Sequence, residues 1–331
     1  MYKITFLIPL LDRSEYTKIF IDENIIDECF YLFADGSHTD ENYKIFQKLK
    51  AKNIEYIRYD PDTDPNQYVK KMVYASQKIN SKYTMTVDND DFINYKGVFK
   101  CINFLESNDE YISAAGRIFY LKTQQNLPNF KKKTQYQLNM FFTSSIELDN
   151  LISLEGVKKY LDNSIDTSYF HYNIYKTQIF HNIWNDMFLS NVKDIDMFEM
   201  MQTMLSFSYG KYKYLSCNHY IRLTNAVNNN ASKRKDRIGH RVIFDQKSRN
   251  KMSTMINFLK HKFNVEEKTI IEMLKHYFVR KIKPRPYYLY SVVKIFYIRF
   301  FLFFVVRLIN KKFYSLKTIK KMISIFLLIK K

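Results

Sequence analysis

YTMTVDNDDFI, Tyr83–Ile93, is the stretch on which the fold turns. Its first five residues carry no charge and favour extended backbone, the composition of a strand buried on both faces. Asp88, Asp90 and Asp91 follow at once, so three carboxylates leave one strand end. The same order of apolar strand, polar turn and helix repeats upstream. KITFLIPL (3–10) reads as a strand, Ser14 as the cap of a helix to about Ile25, and ECFYLFA (28–34) as a second strand. Thr39 with Asp40 and Glu41 opens a helix through Lys50, its acids in the first turn where the helix dipole favours them. IEYIRY (54–59) is a third strand, and Asp64 and Pro65 open a helix whose Tyr68, Met72, Ala75 and Ile79 recur at helical spacing and face the core. Strands alternating with helices make βαβ units and a parallel sheet, which binds ligands outside the carboxyl ends of its strands. The expected fold class is therefore α/β, a Rossmann-like, mainly parallel sheet flanked by helices.

Acid gathers at each of these strand ends. Pro9 to Asp12 follows the first strand, ADGSHTDE with Asp35 the second, Tyr59, Asp60 and Pro61 the third, and Asp88 to Asp91 the fourth. A single Asp in such a place closes a turn or caps a helix. Several on one rim, with Asp88 and Asp90 one residue apart, suit a hard divalent cation, Mg2+ or Mn2+, which takes few protein ligands and completes its shell with phosphate oxygens. The expected ligand is a metal ion that holds a diphosphate.

In this order, FLIPLLD, ADGSHTDE, a helix and TVDNDDF resemble the nucleotide-binding half of GT-A glycosyltransferases of the family-2 type, over about residues 1 to 120 and loosely over 185 to 225. The resemblance implies that Asp35 pairs with the uracil ring, Asp88 contacts the ribose, Asp90 ligates the metal and Asp91 supports that loop. Pro9 and Asp60, at the ends of the first and third strands, complete the candidate donor-binding set with Lys71, whose plain alternative is a solvated helix lysine. His219, in CNHYIR, is a further metal candidate, against a core or surface histidine. Ala34 stands where the family has the first Asp of its turn. Inverting members place a catalytic carboxylate in a later E-D pair that opens an amphipathic helix. The matching stretch here is KDIDMFEMMQTMLSFSYGKYKYLS, with Asp196 the candidate base, Asp194 its neighbour and alternative, and Ile195 in place of the Glu; helix capping is the bland reading of both. The implied activity is metal-dependent transfer of a hexose from a nucleotide-diphosphate donor, a UDP-sugar, to a growing cell-surface glycan by direct displacement, as in capsule or lipooligosaccharide synthesis.

Charge divides the chain. The net charge is +19, yet residues 273–331 hold fifteen Lys or Arg and no acid at all. There YYLYSVVKIFYIRFFLFFVVRLINKKF and YSLKTIKKMISIFLLIKK mix basic residues with apolar runs, and Lys294, Arg299 and Arg307 interrupt any bilayer-length apolar window. Such a helical, basic-aromatic extension suits an anionic membrane surface; runs such as FFLFFVV offer lipid more than nucleic acid, which is not expected as a partner. The expected limits are 1–225 for the GT-A domain (1–120 nucleotide-binding half, 121–225 acceptor half), 226–275 for a polar loop and helical segment, and 276–331 for the tail. Cys29, Cys101 and Cys217 include no CxxC pair, and the N-terminus has no cleavage site, so a cytoplasmic protein at the inner face of the membrane is expected, with a lipid-linked glycan as one acceptor. Trp184 with His181 suits either a sugar face or the core. Among rivals, a nucleotidyltransferase wants a glycine-rich loop that FLIPLLDRSE lacks, a glycoside hydrolase needs no acidic triplet, and a non-catalytic membrane scaffold would tolerate loss of Asp88 and Asp90.

Overall fold

The computed structural model describes residues 2–123, 136–139, 168–192, 195–223 and 252–282. The chain divides into two units, residues 1–276 and 277–331, and the sheet lies in the first. Strands β1 (Ile4–Leu10), β2 (Phe30–Asp35), β3 (Ile54–Arg58) and β4 (Tyr83–Thr86) pair in parallel, in the order β3-β2-β1-β4. Helices α1 (Ser14–Asn24), α2 (Glu41–Phe46) and α3 (Pro65–Ser76) make the crossovers. β1 and β4 are buried along almost their whole length, as their unbroken apolar runs require, whereas β3 alternates between half-buried and exposed because it is the sheet edge.

Short β5 (Phe92–Ile93), α4 (Tyr95–Ser107), β6 (Tyr111–Thr123), β7 (Tyr136–Asn139), a 3-10 turn at Ser168–Tyr172 and β8 (Ile174–Lys176) come next in the chain. They are followed by α5 (Thr177–Leu189), α6 (Ile195–Tyr209) and β9 (Lys211–Leu223), and later by α7 (Ser253–Phe263) and α8 (Glu267–Ile282). Beyond β4 the sheet continues β8-β6-β9-β5, with β8 antiparallel to both its neighbours and β9 parallel to β6. The strand after the parallel half thus reverses, and the long β6–β9 pair brings its own ends back to the rim of β4. A core of Phe6, Tyr31, Phe33, Met85, Val98 and Ile102 fills the space between the sheet and α1, α2 and α4. No helix among the described residues is long and apolar enough to cross a membrane.

Two helix starts differ from expectation. Ser14 is the first helical residue, and the cap position belongs to Arg13, which sits in the left-handed region at φ 60° and makes no side-chain cap bond. α2 ends at Phe46 rather than Lys50, and neither Thr39 nor Asp40 caps it through a side chain; Thr39 and Asp40 are turned instead to Asp12 and Arg58. The start of α3 is as expected: the Asp64 carboxylate accepts from the N–H groups of Asn66 (2.7 Å) and Gln67 (3.1 Å) with Pro65 behind it, an arrangement worth about 1 kcal/mol. The first part of the expected 226–275 segment, up to residue 251, and the tail from 283 onward lie outside the described residues.

β6 and β9 slip register around Gly116, and His219 repairs the gap. Its Nδ1 accepts from the Gly116 N–H at 3.1 Å, and Nε2 donates to the Tyr172 carbonyl at 3.0 Å, joining β9, β6 and the 3-10 turn. Burial pushes this imidazole down to about 4, so the native ring stays neutral where an unfolded histidine would take up a proton. Between the unfolded value near 6.5 and the folded value near 4, the unfolded state binds the extra proton, and stability falls as pH falls. We expect urea unfolding to show a loss of about 2 kcal/mol between pH 7 and pH 5 that is missing from His219→Gln, itself less stable at pH 7. An identical pH dependence in the two proteins would refute this assignment.

Candidate functional site

The rim at the carboxyl ends of β1, β2, β3 and β4 is built from interlocked turns. The Asp12 N–H donates to Ser37 Oγ at 2.7 Å, and Asp12 Oδ1 accepts from the His38 N–H at 3.0 Å, so the turn after β1 is tied to the turn after β2. Asn42 Nδ2 donates to both the Asp12 carbonyl (3.1 Å) and Ser37 Oγ (3.0 Å). Asp12 and Arg13 both occupy left-handed backbone, at φ 54° and 60°. For non-glycine residues this costs on the order of 1 kcal/mol each and is kept only where neighbours over-determine it.

The end of β4 carries the acid. Asp88, Asp90 and Asp91 present carboxylate oxygens that all lie within 4.8 Å of one another, an all-oxygen donor set that fits a hard divalent cation. Each acid has a different setting. Asp88 is half-buried, and its Oδ2 accepts from the Tyr172 hydroxyl at 2.7 Å. Asp90 Oδ2 is paired with Arg13 Nη2 at 2.6 Å; burial raises its carboxyl above the usual range, and the guanidinium partly offsets this. Asp91 is buried, its Oδ2 accepting from the Tyr220 hydroxyl (2.7 Å) and its Oδ1 from the Leu223 N–H (2.7 Å). Burial, then its two acidic neighbours, push Asp91 well up. Tyr172 and Tyr220 stack with centroids 4.5 Å apart, and the Tyr220 hydroxyl also accepts from the Asp88 N–H at 3.1 Å. The two tyrosines therefore form a floor under the acidic turn.

The other expected donor-binding residues fall into two groups. Pro9 lies half-buried in β1 opposite Ala34. Asp35 is fully buried: Oδ1 accepts from the Ser37 N–H (2.9 Å) and hydroxyl, and Oδ2 from the Tyr56 hydroxyl (2.6 Å). Asp60 is exposed, and the acid that the third strand end actually holds is Asp62, two residues on. Asp62 and Lys71, each with a side chain 1% exposed, form an ion pair, and Lys71 Nζ also donates to the Leu10 carbonyl at 3.1 Å. Lys71 is thus not a solvated lysine: its ammonium is sealed between Asp62 and the end of β1. Burial lowers its pKa, with Asp62 opposing. Gly36 makes room for the pair, since a Cβ there would lie 2.5 Å from the Asp62 carboxylate.

His219 does not join the acidic cluster, because both its ring nitrogens are bound to main chain, at Gly116 and at Tyr172. Asp196 lies in the first turn of α6, and Asp194 lies outside the described residues. Trp184 is fully buried against Phe180, Tyr68 and Phe198 and belongs to the core rather than to a sugar face. Sequence reasoning missed Arg13, Asp62, Tyr172 and Tyr220. None of the four left a local signal, because each finds its partner outside its own element.

No protein-family model matches the sequence, and no curated protein matches it. Solved structures do. The chain is similar to residues 1–349 of S. aureus TarS, with a TM-score of 0.53 at 14% identity over 83% of this chain and 70% of that one. It is similar also to the same TarS fragment in complex with UDP-GlcNAc, with a TM-score of 0.54 at 14% identity over 83% and 71%. The fold is accordingly GT-A, as the resemblance implied, with the mostly parallel, helix-flanked sheet that the strand patterning predicts.

The buried pair offers a direct check on which acid matters at the third strand end. Removing one partner of a buried pair leaves an uncompensated charge, so Asp62→Ala or Lys71→Ala is expected to cost about 3–5 kcal/mol in urea unfolding at pH 7. Asp60→Ala is expected to stay within about 0.5 kcal/mol of the native protein. Equal losses at Asp60 and Asp62 would overturn the assignment.

Proposed function

We propose that the protein is a metal-dependent glycosyltransferase that moves a sugar from a nucleoside diphosphate donor, a UDP-sugar, to a glycan or lipid-linked glycan of the cell surface. The observation that carries this reading is the convergence of Asp88, Asp90 and Asp91 at the carboxyl end of β4 in a GT-A sheet. The likeness to TarS, whose structure was solved with UDP-GlcNAc, supports a nucleotide sugar as the donor class. Mg2+ or Mn2+ held by Asp88 and Asp90 would neutralise charge on the departing diphosphate. Asp91, with both oxygens engaged by β9, keeps the turn in place.

Within this reading Asp88 also faces the ribose, and Asp35 serves the uracil ring once the Tyr56 hydroxyl gives way. Asp196, at the start of α6, takes the proton of the acceptor hydroxyl as that oxygen bonds to the anomeric carbon and the bond from that carbon to the diphosphate oxygen breaks. Asp194 is the alternative base. One displacement inverts the anomeric centre and needs no covalent enzyme intermediate. The order of strand, turn and acidic motif supports a place beside the family-2 enzymes, and the basic-aromatic tail supports work at an anionic membrane face, as surface polysaccharide assembly requires.

Calorimetric titration with UDP tests the site. Binding is expected with Mn2+ present, to weaken at least tenfold without it, and to be lost in Asp90→Ala; folded native protein that ignores UDP in both conditions would refute the reading. The tail is tested separately by flotation with vesicles of anionic phospholipid. The full chain is expected to float, and a shortened chain whose last residue is Val279, without residues 280–331, to remain in solution while binding UDP as before. Flotation of the shortened chain would place the membrane contact elsewhere.

A further inference from the structure

Arg13 ends the turn after β1 in left-handed backbone, and its carbonyl accepts from the N–H groups of Tyr16 (3.0 Å) and Thr17 (3.4 Å), which fixes the direction of its side chain. The guanidinium lies against the Tyr16 ring, 4.5 Å from its centroid, and reaches Asp90 at 2.6 Å with only 13% of the side chain exposed. Its Nε is buried and has no hydrogen-bond partner among the described residues. A guanidinium offers five donors in a fixed plane and is satisfied by carboxylate or phosphate oxygens arranged to match. Here it meets one carboxylate and leaves a buried donor unused, an incomplete set for a purely structural arginine. Asp90 is the acid that the same turn would offer to a cation.

We propose that Arg13 is the resident counter-cation of this centre and couples metal binding to nucleotide binding: it occupies Asp90 in the free protein, yields that carboxylate to the divalent ion, and turns its donors to the diphosphate oxygens that arrive with it. The inference rests on reading the cluster as a metal and diphosphate centre. A metal ion arriving alone must displace a charge-assisted pair and leave the guanidinium without an acceptor. An ion arriving with a diphosphate supplies the acceptor that the released arginine lacks. Metal and nucleotide therefore strengthen each other's binding reciprocally.

The test measures free Mn2+ by its electron paramagnetic resonance signal during titration of the full chain, with and without UDP, for the native protein, Arg13→Gln and Arg13→Lys. Circular dichroism and thermal melts establish that each is folded. Arg13→Gln is expected to bind Mn2+ alone at least tenfold more tightly than the native protein, and its gain in Mn2+ affinity on adding UDP to shrink at least tenfold. Arg13→Lys, which keeps the charge without the planar fork, is expected to fall between them. Mn2+ affinity that is unchanged or weaker in folded Arg13→Gln would overturn the inference while leaving the metal centre standing. Absence of Mn2+ binding in all three proteins, with and without UDP, would remove the metal reading and this inference together.

Discussion

Three carboxylates held within 4.8 Å of one another set the terms for everything around them. At an effective dielectric of about 20, two unit charges at that separation repel by about 3 kcal/mol, and three such pairs would consume a free energy comparable with the stability of a whole domain. The fold meets this with groups drawn from distant parts of the chain. Arg13 comes from the turn after β1, Tyr172 from the 3-10 turn before β8, and Tyr220 and the Leu223 N–H from the end of β9. Burial supplies the rest by raising Asp90 and Asp91 toward their protonated forms. The second half of the sheet is therefore a condition for the acidic turn of the first half, since β9 must return to β5 for Asp91 to find its partners.

That dependence explains which parts of the molecule could be read from sequence. β1 to β4 and α1 to α3 follow local rules of apolar runs, helical spacing and turn residues, so their existence and order were legible, as was the acid at the end of β4. What escaped was set by contacts distant in sequence. Asp60 and Asp62 are both acids in one turn, and only the approach of Lys71 and the space beside Gly36 decide that Asp62 goes inside. Lys71 carries no mark in its own helix, because a lysine flanked by Lys70 and Met72 suits solvent as well as core. His219 was drawn toward the metal by residue type, while the register shift between β6 and β9 leaves both its ring nitrogens to main-chain partners. Tyr172 lies within residues 122–180, a stretch rich in Gln, Asn, Lys and Tyr that carries no readable motif.

A likeness in fold at 14% identity has the same origin. A parallel sheet asks its strands only to be apolar and of the right length, and many sequences answer that. Similarity of architecture shows the fold, and the chemistry must come from the side chains found on it.

Those side chains can be sorted by what their oxygens already do. A carboxylate that ligates a metal needs lone pairs left over and a path to the outside. Asp35 spends both oxygens on Ser37 and Tyr56, Asp62 is sealed with Lys71, and Asp91 spends both oxygens on Tyr220 and Leu223. Asp62 and Asp91 tie neighbouring strand ends together, and Asp35 joins the turn after β2 to β3. Among the described residues, Asp88 retains one oxygen beyond its bond to Tyr172 and is only half-buried, while Asp90 is held by a guanidinium whose own donor set is unfilled. The pair one residue apart is thus the pair whose partners can be exchanged, and the acids on either side are the frame that keeps the exchange from disturbing the sheet.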